Sequence, residues 1–151
     1  MTNQTASTAA ASCPNQGQDE GTEYFVIITV MRPLPGGFSV KETQAYITLV
    51  EAGTTRLALL EQVNGEIPQR MRSGVIVFFS AEPNQIAPGE YAVSATLEQP
   101  LFGGATQVSS KTRGAQAQPG TRRADLYLWM RDLLADEGKA GSLVFFSAEP
   151  N

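Results

Sequence analysis

The heptapeptide Phe-Phe-Ser-Ala-Glu-Pro-Asn occurs twice in this chain, at 78–84 and again at 145–151, 67 residues later. Sliding 23–84 by the same 67 residues lays it on 90–151 without a gap, with 21 of 62 aligned positions identical. The matches run along the whole segment. Glu23-Tyr24 meets Glu90-Tyr91, Pro33-Leu34 meets Pro100-Leu101, Gly36-Gly37 meets Gly103-Gly104, and Gly74 meets Gly141. A chance recurrence of one short motif would not hold that register. The chain therefore reads as a tandem duplication, and its fold must be a unit that can be made twice.

Each copy has the same order of signals. Glu23 to Met31 is an almost unbroken run of Tyr, Phe, Val and Ile, the pattern of a buried strand. Pro33-Leu34-Pro35-Gly36-Gly37 is turn chemistry, and the partly alternating stretch Phe38 to Val50 predicts a second strand in a hairpin. Gly53-Thr54 then offers a loop and a helix start. Leu57, Leu60 and Val63 follow at helical spacing, cut short by Asn64-Gly65 and Pro68. In the second copy Leu126, Trp129, Met130, Leu133 and Leu134 form a fuller helical stripe that closes at Gly138. Val75 to Ser80 predicts a third strand, stopped by Glu82-Pro83-Asn84. The unit is ββαβ, and the class is α+β.

The boundaries follow from the same reading. Residues 1–22 lack aromatic and β-branched aliphatic side chains, and are expected to form a disordered tail. Repeat one spans 23–84, a linker spans 85–89, and repeat two spans 90–151. A helical crossover suggests a third strand parallel to the first, and pairing of the two third strands would give one six-stranded mixed sheet. Its expected order is 2-1-3-3′-1′-2′, with both helices on one face. Two separate small units are the alternative.

Composition removes much chemistry. The chain of 151 residues has no histidine and one cysteine, Cys13. It therefore lacks the commonest general base and metal ligand, and it has no intramolecular disulfide. The glycine pairs fit neither phosphate-loop motif and open onto no helix. No catalytic residues, metal ligands or cofactors are expected, and the chain is read as a non-enzyme. A net charge of −4 argues against nucleic acid as a partner. No apolar run approaches the ~20 residues that span a bilayer, and the N-terminus carries no secretory pattern. A cytoplasmic, membrane-free protein is expected.

The two faces of the first strand diverge differently. Tyr24, Val26, Ile28 and Val30 meet Tyr91, Val93, Ala95 and Leu97, so this face is apolar in both copies and should lie under the helices. The other face reads Phe25, Ile27, Thr29 and Met31 in repeat one, but Ala92, Ser94, Thr96 and Glu98 in repeat two. Repeat one thus carries an extra apolar surface, extended by Ile76 and Phe78. Phe25, Ile27, Met31, Ile76 and Phe78 are the candidate partner-binding residues. Cover by the chain itself is the competing explanation. The identical ends give candidate recognition loops at Glu82, Asn84, Glu149 and Asn151. The function expected is a protein-interaction or structural module that binds itself or a protein partner. A small-molecule or nucleic-acid binder using a groove between the repeats is the alternative.

Overall fold

The computed structural model describes residues 21–151, and this part opens with a strand, a glycine turn and a second strand. Strand β1 (Thr22–Pro33) pairs antiparallel with β2 (Ser39–Val50) from Thr22↔Val50 to Pro33↔Ser39. The turn between them needs Gly36 and Gly37, whose φ angles of +87° and +82° suit glycine alone. Helix α1 (Arg56–Glu66) starts at Thr55, whose hydroxyl accepts from the Ala58 N–H at 3.2 Å. Pro68 ends it, and a single further turn, α2 (Gln69–Arg72), leads into β3 (Val75–Pro83). The second half repeats the plan as β4 (Gly89–Pro100), β5 (Thr106–Ala117), α3 (Arg123–Asp136) and β6 (Ser142–Pro150). The expected tail lies outside the described residues apart from Gly21 and Thr22, and Thr22 already belongs to β1.

The α+β class, the six strands and the order 2-1-3 within each half are as expected, but the joining into one mixed sheet and the direction of the third strand are not. There are two three-stranded sheets, β2-β1-β3 and β5-β4-β6, and every neighbouring pair is antiparallel. The crossover rule makes the two strands it joins parallel to each other. Those are β2 and β3, and β1 lies between them, antiparallel to both. The expectation assigned that relation to the wrong strand. Registers coincide across the halves at the 67-residue offset: Tyr24↔Pro83 recurs as Tyr91↔Pro150, and the irregularity at Thr29/Val30 recurs at Thr96/Leu97.

The third strands do not pair into one sheet either, because the outer edge of β6 is spent elsewhere. Thr29 donates its hydroxyl to the Leu143 carbonyl, and Thr43 lies 3.2 Å from the same oxygen. The β6 edge therefore rests on the face of the first sheet, and it meets β3 through side chains without pairing to it. Two cores result. Val26, Ile28 and Val30 pack with Leu59, Val63, Ile67 and Met71 beneath α1 and α2. Tyr91, Val93, Ala95 and Leu97 pack with Leu126, Met130 and Leu134 beneath α3, and this second core also takes Phe25 and Ile27. The faces expected under the helices do lie there.

Candidate interaction surface

The candidate partner-binding residues divide into two groups. Phe25 and Ile27 are buried inside the chain, which corrects their assignment to an external surface. The Phe25 ring lies 5.2 Å from that of Tyr127 and 6.3 Å from that of Phe146. An apolar sheet face of this size had to be covered, and the second half covers it with α3 and β6. Met31 and Phe78 are half-buried, and Ile76 is exposed. The Phe78 ring meets that of Phe145, its own counterpart, at 6.2 Å.

The identical chain ends also sit in different surroundings. Asn84 is fully buried, so it cannot serve as an open recognition loop. Its side-chain amide donates to Glu23 at 3.2 Å, and its Oδ1 accepts from the Ala124 N–H at 3.2 Å. Its carbonyl accepts from the Arg123 N–H at 2.7 Å. The first half thereby caps the helix of the second. Glu82 is half-buried, while Glu149 and Asn151 are exposed.

A seam of clefts runs between the halves. One of about 280 Å³ lies among Lys41, Thr43, Tyr127, Arg131 and Ser142. A second of about 320 Å³ opens between the two hairpin turns, with Phe38 on one lip and Leu101 on the other. Lys41 and Ser142 line both, and Lys41 forms an ion pair with Glu98 across the seam. Near one end Arg70 binds Glu42 and holds its carboxyl below the usual carboxylate range, against an opposing effect of burial. Among the described residues, no group of three or more histidine, cysteine or acidic side chains could hold a metal ion. No described helix is long and apolar enough to cross a membrane.

The apolar surface that remains open was only partly foreseen. On the first half, Leu57 is 64% exposed and Val75 61%, and Ile76 and Val77 lie beside Val75 on the same strand. Leu57 lies at the start of α1, and Val75 to Val77 lie on β3, an outer strand of the first sheet. Alternation sets Ile76 on the face of Phe25, Ile27 and Met31, but the irregularity at Thr29/Val30 pairs it with Val30, on the helix-covered face. Leu57, Val75 and Val77 were missed. For Leu57 and Val75 the available signal was their contrast with Ala124 and Ser142, which occupy the same places in the second half, whereas Val77 meets an identical Val144. The chain matches no family model, no curated protein and no solved structure.

Proposed function

We propose that this chain is a non-enzymatic protein-interaction module, and that its recognition surface is the helix-bearing side of the first half. The observation that carries this reading is a pair of equivalent surfaces in unequal circumstances. The helix-bearing side of the second half is engaged, with Tyr127 and Leu143 held against the first sheet. Its counterpart on the first half exposes Leu57, Val75, Ile76 and Val77. Large apolar side chains left exposed in this way, where they gather, mark protein contact sites. The test is comparative capture from an extract of the source cells. Wild-type chain should retain partners that a Leu57→Ser, Ile76→Ser variant of unchanged melting temperature loses. Identical captures from both proteins would contradict the reading.

The clefts between the halves favour a second reading, a small-molecule binder. One of them offers about 320 Å³ lined by both hairpin turns, enough for a compact ligand. Native mass spectrometry of freshly purified protein distinguishes the two readings, since a bound metabolite would appear as a discrete added mass.

A further inference from the structure

The joint inside the chain shows what the open surface was built to receive. We infer that it takes the outer face of the second half of another copy, so that the chain assembles head to tail. This rests on the interaction-module reading and names its partner.

Shifting the internal joint by 67 residues lays its partners on the two open surfaces. Inside the chain, Lys41 pairs with Glu98, and Ser142 donates to the Lys41 carbonyl at 2.6 Å. The counterparts of Lys41, Glu98 and Ser142 are Val108, Met31 and Val75. A cluster of polar partners has become a cluster of apolar ones, changed on both sides together. Val108 is 58% exposed on the second half, and Met31 and Val75 are cross-strand neighbours on the first. Size is exchanged in the same way. Phe25 and Ala124 line one corner of the internal joint, and their counterparts are Ala92 and Leu57. Large against small has become small against large, which keeps the filled volume similar.

The hydroxyl pair in the joint keeps its type. Thr29 and Thr43 touch the Leu143 carbonyl, and their counterparts Thr96 and Ser110 stand 2.9 Å apart on an exposed face. The matching acceptor is the Ile76 carbonyl on the β3 edge. Asn84 caps α3, and Asn151 is the same residue poised to meet α1. The identical Pro-Asn that ends both repeats is therefore explained as one docking element used twice. Unlike surfaces meet at such a contact, so it does not close on itself after two copies and continues as an open chain or a ring.

Sedimentation velocity of the full chain over a concentration series tests this. Wild type should populate species beyond the dimer as concentration rises. Met31→Glu or Val108→Lys alone should raise the dissociation constant at least about tenfold, since each sets a charge against an apolar partner. The double variant, which installs the charge pair of the internal joint, should recover association. Should Met31→Glu fail to fold, Val75→Ser, which copies Ser142, should weaken assembly in its place. A wild type that stays monomeric at every concentration overturns the inference. It leaves the interaction-module reading to be judged by the capture comparison. A closed dimer, or an assembly indifferent to these substitutions, also overturns it.

Discussion

Thr29, in the middle strand of the first sheet, donates its hydroxyl to the carbonyl of Leu143 on the outer edge of the second. An exposed strand edge is an open template for pairing, and here side-chain hydroxyls close part of it. Thr29→Val keeps the shape and removes the donor in a fully buried place. It should cost about 1–2 kcal/mol in urea denaturation with an unchanged slope. Thr96→Val, on the open face, should stay within about 0.5 kcal/mol in dilute solution.

Ile27 is fully buried between the first sheet and the second half. Replacement by its counterpart residue, Ile27→Ser, removes apolar volume and leaves a hydroxyl without provision for a partner. A loss of about 3–5 kcal/mol is expected, read as a fall in thermal and urea midpoints. A melt close to that of wild type would mean that this face is open to solvent after all.

Asn84 and Asn151 are the same letter at the same place in each repeat, with opposite burdens. Asn84→Ala strips the amide caps from Ala124 and Glu23 inside the protein, and should cost about 2–3 kcal/mol. Asn151→Ala should leave the melting temperature of dilute protein unchanged. Calorimetry on both variants separates the two roles.

The Tyr46 hydroxyl is buried without a hydrogen-bond partner. Burial, with the nearby Glu66 carboxylate adding to it, pushes its pKa up to about 12. The folded state thus favours the neutral phenol more than the unfolded chain does, where the ordinary value is about 10. Its contribution to stability is intact below pH ~10 and is lost as pH rises toward 12. Tyr46→Phe should leave neutral-pH stability equal or improved by about 1 kcal/mol. It should also flatten the alkaline loss between pH ~10 and 12. A marked loss of stability at pH 7 would show that the hydroxyl has a partner.

The elements were legible because the two copies report on each other. Val26, Ile28 and Val30 of β1 lie under the helices, and Leu126, Met130 and Leu134 of the helical stripe enter the second core, while Trp129 of the same stripe is exposed. The packing between halves was not legible. Alternation along Phe25, Ile27 and Met31 shows that a face is apolar and says nothing about what covers it. The answer lay in a bond from Thr29 to a backbone carbonyl 114 residues away, which no local pattern encodes. The same limit applied to the surface. Leu57 reads as an ordinary helix position until Ala124, its counterpart, is seen pressed into a joint.

The central claim is that one surface type is filled inside the chain and its twin is open to another copy. Hydrogen exchange read by mass spectrometry at low and high protein concentration tests both parts at once. Peptides covering Phe25 to Val30 should be protected equally at both concentrations, since their cover is internal. Peptides covering Val75 to Phe78, and those covering Thr106 to Thr112, should gain protection only at high concentration. Concentration-dependent protection of Phe25 to Val30, or none at Val75 to Phe78, would contradict the account.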